Sequence, residues 1–354
     1  MKSAIANKLL RWYATRRRNL PWREHPKPYA VWVAEIMAQQ TRLESVLPFY
    51  WRWMQRFPTV RALANAKEQQ VLSLWEGLGY YSRARNLRLA AQIVMSEHGG
   101  KLPRTADALM KLPGIGRYTA GAIASLAFGA DVPAVDGNAM RVLARVFNVN
   151  LPMDGFAAQR RFWALAAEHL PRGRAADYNQ ALMDLGAEIC TPRGPKCSAC
   201  PLRRECRAKH LGIQEQRPVK GEIKSVPVRH LVAAIVQQGD RVLVLQRPAR
   251  GLLAGMWGFP TATVTNTRRA KAGLRRALRE LDIDPISERH LGDYEHQYSH
   301  FTARLRAYHV PLNGSRPGIQ SEQASRWIAV KRLGELPMGK LDRTIAKALR
   351  DVVA

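Results

Sequence analysis

Apolar residues recur at helical spacing through most of the first two hundred positions. In residues 1–20, Ile5, Leu9 and Tyr13, with Leu10 and Trp12 beside them, mark one face of a helix. Amphipathic stretches follow at 71–95, 107–110, 117–128, 139–149 and 179–189, separated by Pro and Gly, with no alternating strands between them. An all-α domain over residues 1–211 is predicted. Residues 212–228 are polar, marked by Pro and Gly and poor in large apolar side chains, the composition of a linker. Beyond them the period changes. Residues 231–236 and 241–246 are β-branched runs on either side of Gln237-Gln238-Gly239-Asp240, a hairpin signal. Strand-like segments return at 298–310 and 326–330, and one clear helix is predicted at 268–281. An α+β domain therefore occupies residues 229–354.

The length supports this division, since 354 residues, 46% of them hydrophobic, suffice for two cores. Charge adds a partner. The 56 Lys and Arg against 28 Asp and Glu leave +28, spread over both domains, and such self-repulsion calls for a polyanion, with nucleic acid first in line. An uninterrupted apolar run of about 18 residues is missing, so no membrane partner is expected. The Arg-rich opening has some look of a transit peptide, but it runs into Leu20-Pro21-Trp22-Arg23 without a small-residue cleavage site, and a cytoplasmic location is expected.

The four cysteines, Cys190, Cys197, Cys200 and Cys206, stand at spacing C-x6-C-x2-C-x5-C. Four thiols this close call for a soft metal. Zinc sites usually show two short pairs, so the uneven spacing favours a [4Fe-4S] cluster ahead of zinc or an unmetallated loop. Arg193, Lys196, Arg203, Arg204 and Arg207 share that loop, which suits it to lie against phosphates.

Two carboxylates stand out. Glu35 is the only charged residue in the fourteen positions 28–41, and an acid in apolar surroundings holds its proton to higher pH, as a general acid must. Asp136 precedes Gly137-Asn138-Ala139-Met140-Arg141-Val142 and reads as a helix N-cap, a position expected to depress its pKa and keep it charged. One carboxyl protonated and one ionised is the division of labour for cleaving a glycosidic bond. Between them, Leu112-Pro113-Gly114-Ile115-Gly116-Arg117-Tyr118 places two glycines before a small-residue helix, a turn whose exposed N–H groups suit a DNA phosphate.

From Leu20 to Cys206 the chain resembles the helix-hairpin-helix, iron–sulfur class of DNA glycosylases, and within it the MutY-type adenine DNA glycosylases. The matching stretches are Leu20-Pro21-Trp22-Arg23, Ala34-Glu35-Ile36-Met37-Ala38-Gln39-Gln40-Thr41, Gly77-Leu78-Gly79-Tyr80-Tyr81-Ser82-Arg83-Ala84-Arg85-Asn86, the hairpin motif, Val135-Asp136-Gly137-Asn138 and the cysteine spacing. The resemblance implies a multidomain fold: an all-α helix-hairpin-helix glycosylase domain with a cluster loop at 190–206, then an α+β Nudix-like domain. It implies a double-stranded DNA partner carrying adenine opposite 8-oxoguanine or, less efficiently, guanine, with the enzyme acting as a monomer. Glu35 would protonate adenine at N7, Asp136 would stabilise or capture the sugar cation, and Tyr118 and Asn138 would support them. Gln40 and Tyr80 would wedge into the duplex as the base flips, while Arg23, Thr41, Arg83, Leu112, Gly114, Gly116 and Arg117 would lie at the DNA. Lyase relatives carry a nucleophilic lysine where this chain has Tyr118, whose phenol cannot form an imine, so base removal without efficient strand cleavage is implied.

The C-terminal half resembles the Nudix-like domain of these glycosylases, including Gly251-Leu252-Leu253-Ala254-Gly255-Met256-Trp257-Gly258-Phe259-Pro260. Against the hydrolase pattern, Arg276 and Arg279 stand where two metal-binding carboxylates belong and only Glu280 survives, so Mg²⁺ chemistry is not expected. The resemblance assigns Tyr298-Ser299-His300 to recognition of the damaged base, with Tyr298 where relatives usually have Phe.

Overall fold

The computed structural model describes residues 2–221, 225–285, 287–313 and 323–353. The chain divides into two compact units, Met1–Asn65 with Asn86–Ile223 and Ala66–Arg85 with Lys224–Ala354. Residues 222–224 of the expected linker lie outside the described residues.

The helices run α1 (Lys2–Arg16), α2 (Pro21–Glu24), α3 (Pro28–Ala38), α4 (Leu43–Arg56), α5 (Val60–Ala64), α6 (Glu68–Trp75), α7 (Ser82–Glu97), α8 (Ala106–Leu109), α9 (Arg117–Phe128), α10 (Gly137–Val146), α11 (Phe156–Glu168), α12 (Ala175–Glu188) and α13 (Arg207–His210). The amphipathic stretch at 71–95 is thus two helices. Gly77 and Gly79, with φ of +104° and +71°, turn the chain between α6 and α7.

Within the first unit, α3 starts on Pro28 at its first turn and buries every residue from Tyr29 to Met37, the signature of a central helix with no solvent face. Helix α9 packs beside it. Helices α1, α10, α11 and α12 form a separate apolar cluster around Leu9, Val142, Phe162, Tyr178 and Leu182. Gly186 on α12 faces the start of α10 so closely that a Cβ there would lie 2.7 Å from that of Asn138, so only glycine lets the two helices meet at this point. The segment following α13 is docked on the first unit, with the Met153 N–H donating to the Val219 carbonyl at 3.0 Å and Arg145 Nε to the Arg217 carbonyl at 3.0 Å.

The second unit carries a seven-stranded sheet among its described residues: β1 (Val228–Gln238), β2 (Arg241–Gln246), β3 (Trp257–Gly258), β4 (Thr261–Val264), β5 (Arg289–Gln297), β6 (Thr302–Pro311) and β7 (Ser325–Ala329). Its order is β3-β2-β1-β6-β5, with β4 also paired to β1 and β7 to β2. Only β1 and β6 are parallel, in register from Val228 opposite Thr302 to Gln237 opposite Pro311. The sheet's two faces are covered by different helices, α14 (Ala270–Arg279) over Val232, Ala234 and Leu243, and α15 (Lys340–Val353) over Ala233, Ile235 and Val244. The α-then-α+β fold class expected from the pattern is therefore what the chain adopts, with three corrections. Strands β3, β4 and β5 join those expected. The strand expected at 298–310 starts only at Thr302, because the Tyr298 N–H closes a turn onto the Phe301 carbonyl. A second helix, α15, joins the one expected, its first turn carrying Asp342, which the fold buries.

Candidate functional site

Glu35 comes from the buried α3 and is itself 6% exposed. Tyr118, on the first turn of α9, donates its hydroxyl to Glu35 Oε2 at 2.7 Å and lies 3.2 Å from the Met183 sulfur. Burial is the main influence on Glu35 and raises its pKa, helped by the negative charge of Asp136 and opposed by the Tyr118 hydrogen bond and the charge of Arg23. Tyr118 is pushed well up by burial and by its two acidic neighbours, so it remains a donor.

Asp136 caps α10 as expected, accepting the Ala139 N–H at 2.7 Å and the Asn138 side-chain amide at 2.9 Å. The expected depressed pKa is corrected here. Burial dominates and raises it, although the Ala139 N–H, the Asn138 amide and the Arg141 charge all favour the anion. Arg141 continues the chain of contacts, donating to Asn138 Oδ1 and the Gly186 carbonyl, both at 2.7 Å, and through Nε to the Cys190 carbonyl at 2.7 Å.

Glu35, Tyr118, Asp136 and Asn138 line one cleft of about 940 Å³ together with Arg23, Gln40 and Thr41. Arg23 is forked onto the fully buried Asp184, with Nη1 to Oδ2 at 2.7 Å and Nη2 to Oδ1 at 3.0 Å, and Arg18 binds the same carboxylate. Arg23 therefore reaches the cleft as a fixed positive charge near Glu35, already engaged by a carboxylate. Gln40 has a φ of +57° just past the end of α3.

Leu112, Gly114, Gly116 and Arg117 form the turn between α8 and α9. Leu112 is buried, Gly114 has a φ of +78° and a Cβ there would lie 2.9 Å from that of Asn86, and no side chain caps α9 at Gly116. The exposed Arg117 guanidinium lies 3.9 Å over the Trp163 ring.

The four cysteines line one pocket, walled by Val142, Val146, Leu185 and Ile189. Burial pushes Cys200 up to about 12 and also raises Cys206, so holding both as thiolates requires positive charge placed among them. Among the described residues no three His, Cys, Asp or Glu side chains converge as a single metal ion would need. Arg145, 1% exposed, donates to Cys190 Sγ at 3.2 Å and to the Thr191 carbonyl at 2.8 Å, fixing the start of the loop.

The remaining expected residues lie in the second unit. Tyr80, Tyr298, Ser299 and His300 line a cleft of about 610 Å³ with Leu252 and Arg343. Ser299 and His300 are exposed, and the Tyr80 hydroxyl hydrogen-bonds Ser299 Oγ. Tyr298 is partly buried and stacked on Phe301 at 4.9 Å, so its ring already has a partner. Arg83 is 8% exposed, with its guanidinium turned onto the Leu78 and Gly79 carbonyls. In the hydrolase-like helix α14, Arg276 donates to the Thr263 carbonyl at 3.2 Å, and Glu280 follows the helix into a separate cleft.

Sequence reasoning missed Asp184, Arg18, Arg141 and Arg145. Asp184 carries a signal of the kind that marked Glu35, a charge within the apolar stretch Ala181-Leu182-Met183-Asp184-Leu185-Gly186-Ala187. The arginines gave none, because which cations of a chain this basic find buried or internal partners is not visible from the sequence.

Comparison with known proteins matches residues 33–164 to the HhH-GPD superfamily of base excision DNA repair proteins and residues 231–348 to the NUDIX domain. The human adenine DNA glycosylase is 37% identical over 92% of this chain and 70% of its own length, and that of Buchnera aphidicola from Schizaphis graminum is 30% identical over 94% of each. Among solved structures, a thermostable thymine-DNA glycosylase matches 59% of this chain and 97% of its own with a TM-score of 0.55 at 30% identity. A trapped endonuclease III–DNA covalent intermediate matches 60% of this chain and 99% of its own with a TM-score of 0.53 at 23% identity, a likeness of fold.

Proposed function

Because the chain belongs to the family of adenine DNA glycosylases of base excision repair, we propose that it removes adenine from pairs with 8-oxoguanine and, less efficiently, with guanine. The observation that carries this reading is the Tyr118–Glu35 hydrogen bond in a cleft that also holds Asp136. Glu35, whose pKa burial raises, delivers its proton to the flipped adenine at N7, and the bond from N9 to the sugar C1′ breaks. The sugar is left as an oxocarbenium-like cation. Asp136 faces that cation as a carboxylate, its anionic form supported by the Ala139 N–H, the Asn138 amide and Arg141, until water adds at C1′ and gives its proton to the Glu35 carboxylate. Tyr118 orients the acid and offers no amine, so the abasic product is released without imine formation.

Gln40 and Tyr80 serve as wedges, Thr41 and Arg23 flank the opened base, and the hairpin residues Leu112, Gly114, Gly116 and Arg117 seat a phosphate on the start of α9. Ser299 and His300 read the damaged base, with Tyr298 bracing them against Phe301. Cys190, Cys197, Cys200 and Cys206 would hold a [4Fe-4S] cluster: they line one pocket and offer it four soft thiol ligands. When bound, the cluster supplies the bonds that close this basic loop.

The test is Glu35→Gln. It should bind duplex like the wild type and lose excision by about 10²- to 10⁴-fold in single turnover, the worth of a general acid. Near-normal excision would place the acid elsewhere.

A further inference from the structure

We infer that Arg83 is the positioning residue of the Tyr80 turn, setting the stance of the tyrosine ring and through it the discrimination of the base opposite adenine. The inference rests on the reading of Tyr80 as a wedge. The turn between α6 and α7 is unusual for its backbone. Gly77, Gly79 and Tyr80 all have positive φ, and the +46° at Tyr80 is a conformation that a side chain with a Cβ adopts only when its surroundings hold it there. Arg83 provides that hold. Its Nη2 donates to the Leu78 carbonyl at 3.0 Å and the Gly79 carbonyl at 3.2 Å, while Trp75 Nε1 grips the Gly79 carbonyl from its other side at 3.0 Å. The guanidinium carbon lies 5.1 Å from the Trp75 ring centroid and 5.6 Å from that of Tyr80, so the cation sits between the buried indole and the exposed phenol.

A guanidinium whose Nη2 is spent on two carbonyls of the turn, and which is 8% exposed, is not presented to a phosphate. What the turn uses is a flat head that sets Nη2 on two carbonyls while its face lies against both rings, and lysine has no such face. That contrast separates the two roles an arginine can have in a DNA-binding motif. A phosphate contact needs the charge. A strut for Tyr80 needs the shape.

The experiment compares Arg83→Lys, Arg83→Gln, Tyr80→Ala and the double variant Tyr80→Ala/Arg83→Lys in the full-length, iron-loaded protein. The readouts are single-turnover excision opposite 8-oxoguanine and opposite guanine, and the salt dependence of duplex affinity. Lys and Gln should be equally impaired, by about tenfold opposite 8-oxoguanine, the scale of one or two lost hydrogen bonds. The salt slope should match the wild type, and the double variant should be no worse than Tyr80→Ala. Activity retained by Lys but lost by Gln, a salt slope reduced by about one, or multiplying losses in the double variant would overturn the inference in favour of a phosphate contact. Wild-type behaviour of Tyr80→Ala would instead remove the wedge reading and the inference with it, whereas an impaired Tyr80→Ala beside unimpaired Arg83 variants would refute the inference alone. If Arg83→Lys fails to melt cooperatively, Trp75→Phe carries the test. It removes the Nε1–H bond to Gly79 and shrinks the ring against which Arg83 lies, should shift discrimination in the same direction, and contradicts the inference if it does not.

Discussion

Replacing Tyr118 by Phe removes one oxygen from the site, and the structure says what should follow. The lost hydroxyl donates to Glu35 Oε2 at 2.7 Å, and of the influences holding the Glu35 pKa down it is the largest, ahead of Arg23. A hydrogen bond to a charged group is worth about 1.5 to 3 kcal/mol, or roughly a ten- to hundredfold change in acid dissociation. The sign is fixed by which form the bond favours. Tyr118 stabilises the carboxylate, so without it Glu35 holds its proton to higher pH. Catalysis that needs protonated Glu35 should then extend further into alkali, even if its plateau falls through loss of orientation. The assay is the single-turnover excision rate across pH, with melting temperature recorded at each point. An alkaline limb that stays in place, or moves to lower pH, would refute the reasoning, because Glu35 could not then be the acid whose ionisation ends activity.

Asp184→Asn should destabilise the first unit by about 3 to 5 kcal/mol, the cost of breaking a buried ion pair from one side, seen as a lower denaturation midpoint. Asp184 has a lowered pKa because, although burial pushes it up, the hydrogen bonds and charge of Arg23 with the charge of Arg18 outweigh that effect. Its contribution is therefore complete above the unfolded-state carboxylate pKa and lost as pH falls through the folded one, so the variant should lose less stability on acidification than the wild type. Cys200→Ala should abolish a visible-region chromophore and a content of about four irons per chain and weaken salt-dependent DNA affinity; stoichiometric zinc without iron in the wild type would contradict the cluster. Ser299→Ala with His300→Ala should slow excision opposite 8-oxoguanine selectively, by the worth of one or two hydrogen bonds at about 1 kcal/mol each, and equal slowing opposite guanine would make the loop structural.

The sequence was most informative where one residue's type decided its place. The all-apolar neighbours of Glu35 announced a buried helix, and the Asp136-Gly137-Asn138 start announced a capped one. The hidden part lay in balances and tertiary partners. An N-cap alone depresses a carboxylate, but the burial that outweighs it at Asp136 is created by helices far away in the chain. Arg23 and Arg83 look like ordinary cations in a basic protein, and only the fold shows one forked onto Asp184 and the other enclosed beneath Tyr80. The same holds for the segment 66–85, whose helical pattern matches its neighbours. In the structure it folds with the sheet-bearing unit, where Glu76 pairs with Arg343 and Gln69 accepts the Trp257 Nε1–H at 2.9 Å. Its periodicity carried no trace of those partners, because a helix records which face is buried and not what buries it.

The account stands most directly on base release from duplexes identical except for the base opposite one adenine. Under single turnover, with enzyme in excess, free adenine should appear fastest opposite 8-oxoguanine, more slowly opposite guanine and barely opposite thymine, with the strand left uncut until the abasic site is treated with alkali. Equal rates opposite all three bases, release of a pyrimidine instead of adenine, or strand scission in step with base loss would contradict it.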